Sequence, residues 1–465
     1  MKTWKKEGVD LIADCVHGTV RLTVPVDEKE ATEKDLLDSL WVQRLKQIHQ
    51  LQSAWWVYPS AEHTRFQHSI GVMHLGEIFA KTLYPSLKSV IGPDCPSQNF
   101  IESLLRITGL LHDVGHGPFS HFFDENYLSR FGEITHEDVG QKIITMKLGE
   151  IIKRIRRSPS GKFSQGEVIN PEYVAFLIKK GTKTKVKIPR WLRFLSPLFN
   201  GIFTMDNFDY VCRDAYMSGL NIGSVNIERV LFYSYYSQKG FTLHRKGLSE
   251  IRRFLQARYH LYENLYYHRT TRAIDLYLED VFHPTVKLIY DKNPLEDLDG
   301  YLFLTDWSLI TSAVSWVFSG DEEKKRLGEK WSNILGRKIK WKLAVDEIYE
   351  YRERLGGFRM LEKGDFEKGL RDMIGKKVDF RIDVASLDPR PENPEKMGDC
   401  QIFIYDPLAK NKISKEKLSS AIKDIPFRAN RFRVYIDNLK NKNVIRNAVE
   451  KLMAKEQIAS VSSNI

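Results

Sequence analysis

The segment 109–124, GLLHDVGHGPFSHFFD, holds the densest group of side chains that could do chemistry. Its imidazoles and carboxylates are those of His112, Asp113, His116, His121 and Asp124. A single histidine on an apolar helix face is more simply a hydrogen-bonded core residue, and a His-Asp pair alone often arises by chance. Several such groups in one turn-rich stretch are nevertheless costly to bury without a metal or a polar network. Imidazole and carboxylate together are the ligands of a Zn, Mn or Fe type site with open positions.

The elements around this segment must position these groups. Apolar residues recur at 101, 104, 105, 110 and 111 and predict a helix that ends at the His112-Asp113 pair. The glycines and the proline around His116 prevent an uninterrupted helix, so a second helix should begin near Phe119. The sequence therefore predicts a helix junction at which the imidazoles and carboxylates converge.

Two more predicted helix starts carry polar side chains. The stretch EHTRFQHSIGVMHL predicts a helix with Arg65 and His68 in its first two turns. Arg65 there could hold a phosphate together with the free backbone donors, although a surface arginine fits this stretch equally well. Thr135 before His136 predicts a capped helix start, where a histidine suits a ligand or a base.

Two later helices also carry polar faces. The stretch FTMDNFDYVCRDAYMSG predicts a helix closed by Gly219, with one face formed by Asp206, Tyr210, Arg213 and Asp214. An ion-paired surface helix is the alternative. A hairpin is expected over 225–246. A helix from near Leu248 follows, with Arg258, Tyr262 and Tyr266 in a stripe at four-residue intervals. This stripe could grip a phosphate and a flat ring, or pack against another helix.

Length and patterning predict a mainly α protein with an added module. Strands are expected around His17-Gly18, a helix over 35–51 and a basic loop over 153–190. Later strands are expected at 378–384, 400–405 and 432–436, with a helix over 414–425. We therefore predict a helical core with a small β-hairpin over residues 1–320, a helical and α+β module over 321–455 and a flexible tail over 456–465.

Composition narrows the partners. The 465 residues carry a net charge of +11, which favours polyanions such as nucleotides or nucleic acid, although a lysine-rich soluble protein fits too. The four cysteines lie far apart without metal or redox spacing. The N-terminus lacks a signal-peptide core, and the apolar window 302–318 suggests a buried helix rather than a membrane span. We expect a cytoplasmic protein without membrane association, and weak nucleic-acid binding stays open.

These motifs together resemble the HD-domain phosphohydrolases, whose pattern is a histidine, a distant His-Asp pair and a further distant aspartate. TRFQHSIGVMHL, HDVGHGPFSHFFD, THE and MDNFDYVCRD are most similar to the deoxynucleoside triphosphate triphosphohydrolases. The similarity is to the branch that contains the sterile-alpha-motif-and-HD-domain protein and its bacterial relatives. It runs from about residue 17 to residue 269, and 300–440 is more loosely similar to the C-terminal region of the bacterial members.

The resemblance implies roles for particular residues. A divalent transition metal (Mn, Fe, Zn or Ni) is expected on His68, His112, Asp113 and Asp206, and Mg carried by the nucleotide stays open. The catalytic positions are His116, His121, Asp124 and His136. Arg65, Tyr210 and Arg258 fall where the triphosphate is held, and Gln50 and Asp214 where the sugar 3′-hydroxyl is read. Tyr262 stands where a histidine is familiar, and Tyr266 falls where a ring crowds the 2′ carbon. We favour His121 as the acid, oriented by Asp124, because an offset of three shares a helical face.

The implied function is metal-dependent hydrolysis of deoxynucleoside triphosphates to a deoxynucleoside and tripolyphosphate. A homo-dimer or homo-tetramer is also implied. Asp10, Ala13 and Lys46 depart from the family's guanine-nucleotide pocket, so activation of that type is not expected and another nucleotide activator stays open. The alternatives are an HD phosphohydrolase acting on another nucleotide phosphoester, and a basic nucleic-acid-binding protein that keeps the fold.

Overall fold

A computed structural model describes most of the chain. The described residues are 7–179, 186–201, 203–223, 225–351, 363–375, 378–387, 402–410, 412–414 and 428–462. The chain forms two compact units, each built from separate stretches. The first unit comprises Met1–Arg258, Val286–Thr311 and Arg390–Ala421, and the second comprises Tyr259–Thr285, Ser312–Pro389 and Ile422–Ile465. The sequence predicts contiguous blocks with boundaries at 320 and 455, whereas each unit combines separate stretches.

Helices dominate the described residues, as predicted for a mainly α protein. In chain order they are α1 (Glu33–Leu37), α2 (Leu40–Gln43), α3 (Arg65–Ile91), α4 (Gln98–Leu111), α5 (His121–Asn126), α6 (His136–Met146), α7 (Gly149–Arg154), α8 (Pro171–Ile178), α9 (Arg190–Leu195), α10 (Pro197–Asn200), α11 (Met205–Ser218), α12 (Ile227–Phe232), α13 (Leu248–Leu261), α14 (Arg269–Glu279), α15 (Phe282–Ile289), α16 (Leu298–Tyr301), α17 (Asp306–Ser315), α18 (Glu322–Leu335), α19 (Lys363–Ile374) and α20 (Lys442–Ser462). None of the described helices has both the length and the apolar composition that a membrane crossing requires.

The strands form small sheets. In chain order they are β1 (Val9–Asp14), β2 (Gly18–Thr23), β3 (Arg157–Ser158), β4 (Gly161–Lys162), β5 (Ser234–Ser237), β6 (Gly240–His244), β7 (Lys342–Tyr351), β8 (Phe380–Leu387), β9 (Phe403–Tyr405), β10 (Ile413–Ser414) and β11 (Arg428–Ile436). β1–β2 and β3–β4 are hairpins, and the larger sheets have the orders β10-β9-β6-β5 and β7-β11-β8. Because β9 pairs in parallel with β6, the strand predicted at 400–405 belongs to the first unit and not to a C-terminal module.

The pair α3 and α4 forms the centre of the first unit. A capping box of Thr64 and Gln67 begins α3 at Arg65, and Ser97 caps α4. A Cβ atom on Gly109 would lie only 2.7 Å from the backbone of Val72, so glycine permits the two helices to approach closely. This close packing brings the first turn of α3 beside the end of α4.

The helix junction predicted around His116 is confirmed. α4 ends at Leu111, and α5 begins at His121 after the turns of the glycine- and proline-containing loop. The Gly219-terminated helix is also confirmed. The hairpin predicted over 225–246 is confirmed for 234–244, but α12 occupies 227–232 because Asn226 caps a helix start there.

Other predicted elements were wrong. The helix predicted over 35–51 is divided into α1, α2 and a 3-10 turn, because Ser39 caps a new helix start. The loop predicted over 153–190 contains β3, β4 and α8, the last of these begun by the Asn170 cap with Pro171 in the first position. Residues 180–185 of that stretch lie outside the described residues. The window predicted as a buried helix at 302–318 is partly exposed, at Phe303 and Trp307 among others.

The second unit has its own apolar core. The antiparallel sheet β7-β11-β8 supplies buried residues such as Val434, and α19 and α20 supply Leu370 and Ile445. The flexible tail predicted over 456–465 is helical as far as Ser462, where α20 ends. Residues 415–425 of the helix predicted at 414–425 lie outside the described part of the chain.

Candidate metal and catalytic site

The four side chains predicted as metal ligands converge although they come from distant stretches. His68 lies in the first turn of α3, His112 and Asp113 follow α4, and Asp206 lies in the first turn of α11. The Nε2 atom of His68 lies 3.2 Å from Nε2 of His112 and 3.0 Å from Oδ1 of Asp206. The Nε2 atom of His112 lies 3.4 Å from Oδ1 of Asp113. Two nitrogens and two carboxylates therefore face one point.

The hydrogen-bond partners of the two histidines fit a divalent cation at this point. His112 Nδ1 lies 2.7 Å from the carbonyl oxygen of Gly109, so Nδ1 carries the proton and Nε2 presents a lone pair. His68 Nδ1 likewise faces Asp209 at 2.7 Å. Burial disfavours a charged His68, but Asp206 and Asp209 outweigh burial and raise its pKa to about 10. The same negative field favours a bound cation, and the nitrogen and oxygen donors suit Mn, Fe, Zn or Ni.

A buried ion-pair network orients His68 through its Nδ1 atom, the ring nitrogen that faces away from the ligand site. Asp209 accepts hydrogen bonds from Arg213 at 2.8 and 2.9 Å and pairs with His17 at 2.7 Å. Arg213 also pairs with Asp14 of β1 at 2.9 Å. Burial alone would raise the pKa of Asp209, but His17, His68 and Arg213 hold it well below its ordinary value. Sequence reasoning missed this network, although the four-residue spacing of Asp209 and Arg213 on one helix was a usable signal.

The predicted faces of α11 need a correction. Arg213 was grouped with Asp206, and a surface ion pair was the alternative. In the structure Arg213 is fully buried. It points with Asp209 toward α3, where a Cβ on Gly71 would lie 1.8 Å from Oδ1 of Asp209. Gly71 therefore makes room for the carboxylate that orients His68.

Three of the predicted catalytic residues form a cluster of imidazoles beside the ligand site. The rings of His116 and His136 stack at 3.6 Å, and the ring of His121 lies 4.9 Å from the former and 5.1 Å from the latter. Nε2 of His116 lies 3.3 Å from Oδ1 of Asp113. The cluster is thus adjacent to the four-ligand centre.

The predicted orientation of His121 by Asp124 is wrong in this structure. The Asp124 carboxylate hydrogen-bonds Nδ1 of His136, whereas it lies 3.9 Å from His121, too far for a hydrogen bond. A capping box at Thr135 begins α6 at His136 and directs this imidazole toward Asp124. Burial opposes the charged form of His136, but Asp124 outweighs burial and raises the pKa of this histidine. His121 instead has an exposed side chain.

Arg65 is buried and therefore not the surface arginine considered as its alternative. It begins α3, its Nε donates to Ser120 Oγ at 2.8 Å, and its Nη1 donates to Asp113. A predicted phosphate-binding arginine thus touches a predicted metal ligand. Its contact with a phosphate stays a prediction.

The two residues predicted to read the 3′-hydroxyl lie around one histidine. His63 Nε2 lies 2.9 Å from Oδ1 of Asp214, and the backbone nitrogen of Gln50 donates to the His63 carbonyl at 3.1 Å. Oε1 of Gln50 is buried without a hydrogen-bond partner among the described residues. Tyr210 and Arg258 also meet, with the guanidinium 5.9 Å from the ring centre.

The predicted stripe of Arg258, Tyr262 and Tyr266 is not a regular α-helical stripe. α13 ends at Leu261, and Tyr262–Tyr266 form a π-helical turn, in which hydrogen bonds span five residues. This turn breaks the four-residue repeat. Tyr262 and Tyr266 belong to the second unit, where their rings lie 5.1 Å apart. Their contact with substrate stays a prediction.

Known proteins are similar to this chain over the stretch that holds most of these side chains. Residues 65–172 match the family model of the HD domain. This match includes three of the four predicted ligands and the imidazole cluster, and Asp206 lies beyond it.

Relatives extend the similarity beyond the HD domain. An HD domain-containing protein of Acanthamoeba polyphaga mimivirus is 26% identical over 364 residues, 75% of each chain. The deoxynucleoside triphosphate triphosphohydrolase SAMHD1 homolog of Dictyostelium discoideum is 23% identical over 455 residues, 97% of this chain and 81% of that protein. A crystal structure of a hypothetical protein from Aquifex aeolicus has a TM-score of 0.68 at 24% identity and covers 95% of this chain and 100% of its own, which shows a shared fold.

Proposed function

We propose that this protein is a metal-dependent triphosphohydrolase that converts a deoxynucleoside triphosphate to a deoxynucleoside and tripolyphosphate. The observation that carries the proposal is the convergence of His68, His112, Asp113 and Asp206 beside a cluster of imidazoles. The deoxynucleotide substrate is supported by the matching motifs and by the named activity of the Dictyostelium relative.

The residues supply distinct parts of this reaction. A divalent cation on the four ligands would polarise a phosphate oxygen and lower the pKa of water. Arg65 provides a buried positive charge at the start of α3 for the triphosphate. Asp124 raises the pKa of His136 against the effect of burial, which favours a positively charged imidazolium in the cluster.

We keep His121 as the proposed acid for a new reason. It is the exposed member of the cluster, so its imidazole can reach a substrate that the buried His116 cannot. Desolvation and the neighbouring His136 lower the pKa of His121 to about 4 in the free protein, so the negative charge of a bound triphosphate would have to restore its proton. The protonated imidazole would then donate to the departing 5′ oxygen as the bond between that oxygen and the α-phosphorus breaks. Water supplies the oxygen that replaces it on phosphorus, so the reaction consumes one water and needs no other reactant.

A second group of side chains would read the sugar. The buried, unpartnered Oε1 of Gln50 and the Asp214–His63 pair lie together near α11. An acceptor that is buried without a partner is costly unless a ligand satisfies it. A 3′-hydroxyl would donate to this oxygen.

A substrate and metal panel tests the proposal. The metal-free protein is incubated with each dNTP and NTP in the presence of Mn²⁺, Fe²⁺, Zn²⁺, Ni²⁺ or Mg²⁺, and products are separated by anion exchange. We expect deoxynucleoside and tripolyphosphate from at least one dNTP, and loss of both in Asp206→Asn. Asp94→Asn, which changes an exposed aspartate of a 3-10 turn, is the matched control. Release of orthophosphate instead would favour an HD phosphohydrolase acting on another phosphoester.

Assembly and regulation stay predictions from the sequence. A homo-dimer or homo-tetramer and a nucleotide activator are proposed by resemblance, and a cytoplasmic location is proposed from the wide spacing of the cysteines. Light scattering would test the oligomeric state, and initial rates with and without added nucleotides would test activation.

A further inference from the structure

The turn before His121 adopts a backbone conformation that side chains resist. Phe119 has φ of 60° and Ser120 has φ of 59°, both in the region that favours glycine. Ser120 is the residue from which α5 begins, so this turn sets where the His121 imidazole points. Such strained residues persist only when surrounding contacts fix them, and they cluster at functional sites.

Asp306 supplies these contacts from far along the chain. Its Oδ1 accepts a hydrogen bond from the backbone nitrogen of Phe119 at 2.7 Å. Its Oδ2 accepts from the backbone nitrogen of His49 at 2.8 Å and lies 2.9 Å from His49 Nδ1. The Asp306 side chain is fully buried. Both of its oxygens are thus committed to holding two loops together.

The network continues from His49 to a predicted metal ligand. Ser120 Oγ donates to the His49 carbonyl at 2.9 Å and accepts from Arg65 Nε at 2.8 Å. Arg65 in turn donates to Asp113. An unbroken hydrogen-bond path therefore connects Asp306 through the strained turn to the four-ligand centre.

Neighbours of Asp306 hold the other end of the same loop. The hydroxyl of Tyr301 donates to the carbonyl of Gly115 at 2.8 Å. Arg44 donates to the carbonyl of His116 at 2.6 Å and to that of Leu304 at 2.7 Å. The segment 301–306 therefore contacts both ends of the loop that carries His116 and leads to His121.

We propose that Asp306 is a positioning residue of the active site, which fixes the strained turn and thereby the direction of the His121 imidazole. The assignment rests on the proposed function of His121 as the acid. Asp306 lies outside the residues that match the HD domain model, and its hydrogen bonds go to His49 and Phe119. The part of the site that orients the acid is therefore contributed by a later segment of the chain.

The test compares Asp306→Asn and Asp306→Ala with the wild type. Asparagine keeps one acceptor oxygen and the side-chain volume, whereas alanine removes both acceptors. We expect kcat to fall by about 100-fold in Asp306→Ala and less in Asp306→Asn, because a small displacement of a catalytic group has this effect. KM and metal content should change little. Asp297→Ala, which removes the capping aspartate of α16, is the matched control and should keep the wild-type kcat.

A spectroscopic readout separates positioning from activity. Nitrogen-15 histidine NMR, with His121→Gln used for assignment, should show a displaced His121 signal in Asp306→Asn and an unchanged one in Asp297→Ala. An unchanged His121 signal together with wild-type kcat in Asp306→Asn would overturn the inference. If Asp306→Ala does not fold, Asp306→Asn alone is the deciding variant. If the wild type hydrolyses no dNTP, the proposed function fails, while the NMR comparison still decides whether Asp306 positions His121.

Discussion

Asp209 determines which nitrogen of His68 faces the four-ligand centre. Its carboxylate receives His68 Nδ1 on one oxygen and His17 on the other, with Arg213 bridging both. A carboxylate behind a metal-binding histidine fixes the tautomer and raises the basicity of the ligand nitrogen. The buried network is therefore part of the site although it makes no direct contact with substrate.

At this scale, we predict that Asp209→Asn weakens metal binding by about 10- to 100-fold. The amide can no longer accept from Arg213, His17 and His68 together. Titration of the metal-free protein with Mn²⁺, followed by paramagnetic resonance, measures the change. Asp14→Asn, one contact further away through Arg213, should have a smaller effect. Equal Mn²⁺ affinity in Asp209→Asn and wild type would refute the role of Asp209.

The Asp124–His136 pair predicts a particular pH dependence. Burial opposes the charged form of His136, but Asp124 outweighs burial and raises the pKa of this histidine. Activity that needs the protonated imidazole of His136 should persist below the raised pKa of this histidine and decline as pH rises through that pKa. The contribution of this pair to the free energy of unfolding depends on pH in the same direction. It is fully present below about pH 6.5, the ordinary pKa of histidine, and is lost as pH rises through the pKa of the folded state.

Replacement of Asp124 tests this assignment. Asp124→Asn removes the charge that raises the His136 pKa, so the alkaline limb of kcat against pH should move to lower pH. Glu133→Gln, at an exposed position nearby, is the control and should leave the limb in place. An unmoved alkaline limb in Asp124→Asn would show that His136 does not titrate as proposed.

At the scale of elements, the packing of α3 against α4 and α11 assembles the centre. α3 supplies His68, the end of α4 supplies His112, and α11 supplies Asp206 and its neighbour Asp209. Close approach of these helices requires positions without a side chain, and Gly71 faces the Asp209–Arg213 pair. The packing of these three helices therefore also sets the positions of the metal ligands.

Gly71→Ala is predicted to destabilise the protein and weaken metal binding together. Alanine in a helix is normally favoured over glycine by about 1 kcal/mol. Here its Cβ would lie 1.8 Å from Asp209 Oδ1, and overpacking of a core typically costs about 1–3 kcal/mol. Thermal denaturation should therefore show a lower Tm. Gly364→Ala in α19 meets open space and should keep or raise the Tm, and a Gly71→Ala protein as stable as wild type would contradict this packing.

The sequence anticipated those parts of the site that depend on local spacing. The junction at His112, the capped start at His136 and the family motif placed the four ligands and the imidazoles. The Asp124–His136 bond and the anchor at Asp306 could not be found in this way, because they join residues of separate elements across loops. The π-helical turn at Tyr262–Tyr266 also has no simple spacing signal. Contacts between distant segments, rather than periodicity, determine the Asp124–His136 bond and the contacts of Asp306.

At the scale of the molecule, the net charge of +11 should assist capture of a polyanionic substrate. We predict that kcat/KM for a dNTP falls several-fold as NaCl rises from about 50 to about 300 mM, because salt shortens the range of electrostatic attraction. kcat at saturating substrate should change little. Steady-state kinetics over this range measures both, and a salt-independent kcat/KM would show that the charge does not serve substrate capture.

The most direct test of the proposed triphosphohydrolase is hydrolysis of a dNTP in ¹⁸O-labelled water with the metal that supports turnover. Mass spectrometry of the products shows where the new oxygen resides. Water attack on the α-phosphorus, with His121 protonating the 5′ oxygen, predicts one ¹⁸O in each tripolyphosphate and none in the deoxynucleoside. Label in orthophosphate or pyrophosphate, or no turnover of any dNTP with any of the metals, would contradict the proposed reaction.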